Sequence, residues 1–268
     1  MKNLEIYKLL DYGPKDFVEI DDLNIAISKS KAKTADGKLL TNINWYDAKL
    51  LIQSLGPNYF LPTSSQWGKA REFLRRKHPE LEQDFIYGAA EWVDSLIAFP
   101  NDEGKYSPKL QIPDIKKGKF PLLIEKSKVE KIGEDYIITE GKVVEVPNLP
   151  ISPGFIHSWD DELGLPTKID EEPSEEFEGA YFIINRNYEY YEGLRAISRG
   201  YIIRPCYEND RRFTTIANWT PYSSHSSLGF RLGIDNYRSG YVKIELEKYW
   251  ELLGLVKRLE EIFLSVRF

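Results

Sequence analysis

Between Arg199 and Gly233 the chain reads RGYIIRPCYENDRRFTTIANWTPYSSHSSLGFRLG, and no other stretch constrains the fold as much. Its end is orderly: Leu228-Gly229-Phe230-Arg231-Leu232 reads as a short buried strand. Ahead of that end, Tyr201, Tyr207, Phe213, Trp219 and Tyr222 stand among small hydroxyls, an Asn, a His and several Arg, with neither a helical nor a strand period. This is the pattern of a loop region held at both ends by rigid sheet. Arg199-Gly200 and Gly229-Phe230-Arg231 are expected to anchor it on neighbouring strands, with Gly229 allowing close backbone approach and Phe230 pointing into the core.

The rest of the chain supplies a scaffold. Residues 44–56, NWYDAKLLIQSLG, place Trp45, Ala48, Leu51, Ile52 and Leu55 at helical spacing before a Gly-Pro stop. Residues 61–79 repeat the form: Thr63 or Ser64 caps, Gln66 stands near the third helical position, and Pro79 closes. Trp45 and Trp67 are expected in the core. Residues 17–27 alternate as strands do, and 128–146 alternate with turns at Gly133-Glu134-Asp135 and Glu140-Gly141. Residues 160–179 are acidic and turn-rich, an exposed connection. Short strands follow in AYFII, LRAIS and LGFRLGI. The tail, 241–268, ends with Leu252, Leu255, Val256, Leu259, Ile262 and Phe263 at the spacing of an amphipathic helix.

Bulk properties bound the function. A length of 268 residues allows one large or two small domains. A net charge of −6 without a long Lys/Arg run argues against a general nucleic-acid or anionic-membrane surface. One Cys excludes an intrachain disulfide and a Cys-based zinc site, and the three His lack metal-ligand spacing. The first residues lack the apolar core of a signal peptide, and no apolar run reaches the ~20 residues of a membrane span. A soluble chain is expected, cytoplasmic or carried on a virion. The 17 Tyr fit either a β-rich core or a binding surface, and on composition alone the core is the simpler reading.

Four blocks, in one order, resemble the formylglycine-generating-enzyme (sulfatase-modifying factor) superfamily. They are INWYDAKLLIQSLG with NYFLPTSSQWGKARE, EWVDS (91–95), EGLRAISRG (192–200) and ANWTPYSSHSSLGFRL (217–232). Together they cover about half the chain. The resemblance implies an α+β, C-type-lectin-like fold: short helices packed on small antiparallel sheets, long irregular loops, an inserted β-rich segment at 100–176 and a C-terminal helix in the 241–268 extension. The whole, 1–268, is expected as one such domain, with 199–233 as a ligand-binding region.

The oxidases of that superfamily bind copper through cysteines lying between the R-G and G-F-R blocks. Here that interval holds only Cys206, and one thiolate makes neither a two-thiolate Cu(I) site nor a thiol–disulfide couple. A formylglycine-generating-type copper oxidase is therefore the disfavoured alternative, and neither a catalytic residue nor a cofactor or metal is expected. The chain looks more like the variable proteins of diversity-generating retroelements, whose segment before G-F-R is rewritten by adenine-directed mutagenesis, typically at Asn codons. An Asn codon randomised at its first two bases never encodes Trp, Met, Gln, Lys or Glu. From Tyr201 to Ser227 only Glu208 and Trp219 belong to that set.

The resemblance implies a non-enzymatic receptor-type protein whose variable surface meets a protein or glycan partner. Its candidate contact residues are Tyr201, Ile202, Tyr207, Asn209, Asp210, Arg212, Asn218, Trp219, Thr220, Tyr222, Ser223, His225, Ser226 and Ser227. Tyr, Ser, Asn and Arg are paratope-like types: rigid rings give area, and hydroxyls give adaptable hydrogen bonds. Phe213 and Ile216 stay open between core and display. Tyr201, Tyr207, Arg212, Trp219, Tyr222 and His225 are expected to converge on one exposed, shallow patch.

Overall fold

A computed structural model describes residues 9–86, 90–203 and 211–235, together with Glu251, Leu255 and Arg258 as isolated helical positions. The C-terminal helix expected over 241–268 otherwise lies outside the described residues, as do Cys206, Tyr207, Asn209 and Asp210. The fold is mixed α+β, with few helices and mostly sheet. A four-stranded sheet runs β1 (Phe17–Ile20), β2 (Ile25–Ser28), β13 (Gly233–Asp235), β3 (Tyr59–Phe60). Among the described residues the larger sheet has nine strands. Its path is β6 (Asp135–Glu145), β5 (Leu122–Ile132), β4 (Ala90–Ala98), β10 (Leu194–Ile203), β11 (Arg211–Trp219), β9 (Tyr181–Ile184), β7 (Gly154–Asp160), β8 (Leu165–Asp170), and β12 (Leu228–Phe230) joins β4 off that path. No helix among the described residues is long and apolar enough to cross a membrane.

Strand β4, AEWVDSLIA, is buried along its whole length because both of its faces are covered. Trp92, Leu96 and Ala98 point into a cluster with Trp45, Tyr46, Ala48 and Leu51 of α1 (Trp45–Ser54). Val93 and Ile97 point the other way, to Trp67, Ala70 and Leu74 of α2 (Ser64–Lys77). The two-residue period of a strand thus divides one sequence between two cores. The tryptophans expected in the core are there, each with its indole N–H satisfied. Trp45 donates to the Val93 carbonyl at 2.9 Å, and Trp67 donates to Glu91 Oε2 at 2.9 Å.

Local signals set the helix starts. The Asn44 side chain accepts from the Asp47 N–H and opens α1. Thr63 and Gln66 form a reciprocal capping box and open α2. Pro79 closes α2 as expected, but a further helix that was not expected follows. Lys77 ends α2, and Pro79 begins a third helix, α3 (Pro79–Ile86), because the first helical position needs no N–H.

Three other expectations change. Glu140-Gly141 lies inside β6, where register shifts against β5 absorb it, so only the Gly133 turn interrupts 128–146. The acidic stretch 160–179 is not all connection, since β8 pairs with β7 as a hairpin. The largest change falls within 199–233: residues 211–219 form β11, antiparallel to β10 and parallel to β9, and so are not loop. Its Thr214, Thr215, Ile216 and Ala217 are buried, which places Ile216 in the core.

The segment 100–176 packs into both existing clusters. Leu110, Leu122, Ile124 and Ile138 join the α1 side, and Leu123, Val146, Ile156 and Leu165 join the α2 side. Its strands extend the large sheet at both ends, β5–β6 beyond β4 and β7–β8 beyond β9.

Candidate ligand-binding face

The two anchors of the 199–233 segment flank one strand and do not pair with each other. Arg199 stands opposite Glu91 from β10, and Gly229 stands opposite the same Glu91 from β12. Glu91 is the hub of the joint. Arg231 Nη2 donates to Glu91 Oε1 at 2.9 Å and to Asp84 Oδ2 at 2.8 Å, and its Nη1 donates to the Ser28 carbonyl. The Arg231 guanidinium also lies 3.7 Å from the Phe85 ring centre. Although burial opposes its charge, the neighbouring carboxylates raise its pKa. Arg199 sits between the Trp67 and Trp159 rings, 5.0 and 4.7 Å from their centres, and donates to the Ser64 carbonyl. Burial, reinforced by Arg71, lowers its pKa to about 9. A Cβ at Gly68 would stand 2.8 Å from Arg199 Nη1, so glycine at that helical position makes room for the guanidinium.

From this joint the chain emerges at the end of β11 and returns at β12. Asn218 is exposed and Trp219 half-buried. Trp219 packs edge-on to Trp92 at 6.4 Å, with His225 6.3 Å away on a tilted ring. Thr220 is buried, against expectation. Its hydroxyl lies 3.1 Å from Ser223 Oγ and its carbonyl accepts the Ser223 N–H, so it closes the turn and does not face outward. The Pro221 carbonyl accepts from Trp45 N, and the His225 carbonyl from Asn42 N, which fastens the turn to the start of α1. Ser223 is half-buried, and His225, Ser226 and Ser227 are exposed together with Ser224. His225 Nδ1 and Ser227 Oγ lie 2.6 Å apart, so each limits the other's rotamers.

Tyr222 departs from the outward presentation expected for it. Its ring packs against two tyrosines, Tyr46 at 5.0 Å and Tyr136 at 5.7 Å, and those two stack on each other at 4.7 Å. Its hydroxyl donates to Asp135 Oδ1 at 2.6 Å, and Lys109 Nζ pairs with the same oxygen while lying 5.5 Å from the Tyr222 ring centre. The Lys109 and Tyr222 bonds, with the Tyr136 N–H, hold the Asp135 carboxyl down at about 2. Desolvation, then the Asp135 bond, raises the Tyr222 pKa. Tyr136 closes the network by donating to Asp47 Oδ1 at 2.8 Å. The face is therefore a rim, 223–227 with Asn218 and Trp219, beside a Tyr222 post clamped by the β5–β6 hairpin.

Of the other candidates, Tyr201 and Ile202 lie on β10 opposite Phe213 and Arg212 of β11. Their backbone places them on paired strands at the far end of the β10–β11 ladder from Trp219, which pairs with Ala196. Of the six residues expected on one patch, Tyr207 lies outside the described residues, Tyr201 and Arg212 lie toward one end of the ladder, and Trp219, Tyr222 and His225 lie at or beyond its other end, where the Trp219 and His225 rings are in contact. The motif reading missed Tyr46, Asp135, Tyr136 and Lys109. Asp135 reads as a turn residue and Lys109 as part of a featureless segment, and no local signal joins either to Tyr222.

Buried titratable groups away from this face include Lys49, Asp94 and Glu125. Lys49 pairs with Asp94 at 2.6 Å, and Asp94 also accepts the Ser127 hydroxyl at 2.7 Å, all of them buried. Burial pushes the Glu125 carboxyl up to about 7 beside Ser95. Among the described residues no three His, Cys, Asp or Glu side chains gather in a way that could hold a metal ion. Comparison with protein-family models, curated proteins and solved structures finds no match to this chain.

Proposed function

We propose that this chain is a non-enzymatic ligand-binding protein with a C-type-lectin-like fold, displaying a sequence-variable surface as the variable proteins of diversity-generating retroelements do. One observation carries the reading: the sharp change in burial along 214–230. Residues 214–217 and 228–230 are buried strand, and the run 223–227 between them is half-buried to fully exposed. Substitution in such a run costs the fold little, since solvent-directed side chains usually change stability by less than ~0.5 kcal/mol. Trp219 adds a half-buried ring whose lower side rests on Trp92, the arrangement of a rigid interface anchor. The partner is a protein or a glycan, met by Asn218, Trp219, Ser223, His225, Ser226 and Ser227, with Thr220 and Tyr222 shaping the turn from behind.

The test is genetic and chemical. The locus should carry a reverse-transcriptase gene and a near-copy of the coding sequence for 201–227 that differs at adenines. A locus without that near-copy removes the variable-protein reading. Tight Cu(I) binding together with oxygen consumption on a thiol-containing peptide would replace it with the oxidase alternative.

A further inference from the structure

Between α2 and the β7–β8 hairpin lies a cavity of about 380 Å³, within the size range of small-molecule sites. None of its walls belongs to the 218–227 face. Two hydrogen bonds fasten the opposing walls to each other at one end. Ser64 Oγ donates to the Gly164 carbonyl at 2.6 Å, and Ser65 Oγ donates to the Asp161 carbonyl at 2.5 Å, so the first turn of α2 is held against the hairpin turn. Gly164, at φ 65°, permits this approach, because a Cβ there would stand 2.2 Å from the Ser65 nitrogen.

The chemistry of the cavity is sorted by depth. Arg199, Ile156 and Ala180 line it from buried positions and form its floor. Trp159 and Phe177, half-buried, make apolar sides, and the Trp159 ring centre lies 4.7 Å from the Arg199 guanidinium. Lys69 and Arg71 are half-buried lining residues too, and Arg71 also reaches Glu82, outside the cavity, at 3.1 Å. Among the described residues, the carboxylates that line the cavity are Glu72, Asp161, Glu176 and Glu178, and all four residues are exposed. They stand at the mouth, where Glu178 pairs with Arg75 at 2.9 Å. Positive charge therefore gathers at the floor and negative charge at the entrance. The Arg199 pKa reports the same field: burial lowers it first, the Arg71 charge lowers it further, and Asp161 offsets only part of this.

From this gradient we infer that the cavity between α2 and the β7–β8 hairpin is a second binding site, and that it takes a small monocarboxylic acid with a flat apolar body. The carboxylate goes to the floor, because a guanidinium presents planar N–H donors that match a carboxylate and its charge strengthens the bonds. The body goes against Trp159, Phe177 and Ile156, where it removes apolar surface from water. An amine of the same shape would carry its charge toward Arg199 and Arg71 and be repelled there. A second negative charge would meet the acidic mouth. A purely apolar ligand would take water from the buried guanidinium and return no partner, which is costly for a charge.

The experiment is saturation-transfer NMR on the full chain with three probes that share a benzene ring: 3-phenylpropionate, 2-phenylethylamine and phenyl phosphate. The first should receive saturation and bind at least about tenfold more tightly than either of the others. Arg199→Lys, which keeps the charge and loses the planar fork, should weaken it about tenfold, and Phe177→Ala should weaken it by a smaller factor. Glu176→Gln, at the mouth, should strengthen it slightly, a change of sign that a loss of folding cannot produce. His225→Ala, on the other face, should leave it unchanged. Arg199 also donates to the Ser64 carbonyl, so a thermal melt accompanies each variant. Were Arg199→Lys to melt early, Phe177→Ala and Glu176→Gln would decide. No transfer to 3-phenylpropionate, equal or tighter binding of either other probe, or binding indifferent to the cavity variants overturns the inference, as does a loss caused by His225→Ala. Because His225 belongs to the other face, the result is independent of what binds there.

Discussion

Two tyrosine-bearing loops, 185–193 and 220–227, use their rings in opposite ways. In 220–227 the ring of Tyr222 turns inward onto Tyr46 and Tyr136, and its hydroxyl is tied to Asp135. In 185–193 the polar anchor comes from below: Arg195 grips the backbone carbonyls, and Tyr190 and Tyr191 are left outside. One loop is held by its aromatic side chain as well as by backbone bonds to the start of α1, and exposes Ser224, His225, Ser226 and Ser227. The other is held by its backbone and frees its aromatics. A tyrosine within a turn is therefore either a clamp or a contact, depending on where the loop's fixed point lies.

The strongest way to break this comparison is to remove the fixed point of the first loop. Arg195→Ala would leave the Asn185, Asn187 and Tyr190 carbonyls without this donor, and losing a hydrogen bond to a charged group costs ~1.5–3 kcal/mol. The expected result is a much lower denaturant midpoint, with hydrogen exchange accelerated across 185–193. If exchange there stays slow, Arg195 is not the anchor. Gly193→Ala adds a Cβ where the backbone and Tyr188 leave no space, in a left-handed conformation, and should cost about 1–3 kcal/mol. Equal stability of that variant would show that the loop relaxes easily.

On the other loop the effects are smaller. Tyr222→Phe keeps the ring packing and loses one hydrogen bond, so a loss of about 0.5–1.5 kcal/mol is expected in equilibrium unfolding. The same bond carries a pH signature. The Asp135 carboxyl is held at about 2, below its unfolded value, so its contribution is fully present above the ordinary Asp range of ~3.9. It is lost as pH falls from there through about 2, and an acid titration of Tyr222→Phe should show less of this loss than the parent chain. An identical acid profile in the two proteins would mean that the Tyr222 bond does not hold the carboxyl down. Least of all, Ser226→Ala, on the exposed rim, should stay within ~0.5 kcal/mol of the parent. If that change unfolds the chain, the rim is structural.

Much of the scaffold was legible because short-range rules govern it. Asn44, Thr63 and Gln66 act within three residues of themselves, so both helix starts could be placed from the sequence. The Gly133 turn was visible for the same reason. By contrast, β11 was unreadable. Arg211 to Trp219 alternates poorly, and what makes it a strand is pairing on both edges, with β10 and with β9. Thr214 and Thr215 look like loop residues and lie buried because the sheet covers them.

The sequence by itself determined where α1 and α2 begin, that Trp45 and Trp67 are core and that Leu228–Phe230 is a buried strand, since capping bonds and hydrophobic periodicity need only near neighbours. Only the tertiary structure decided the face. Asp135 meets Tyr222 across 87 residues, and Arg231 meets Glu91 across 140. Register and packing bring such groups together, and neither composition nor spacing along the chain encodes an angle between two side chains. The same chemistry, a ring and a hydroxyl in a turn, became a clamp at Tyr222 and an exposed pair at Tyr190 and Tyr191 because the sheet placed an acceptor beside the first and a buried guanidinium beneath the second.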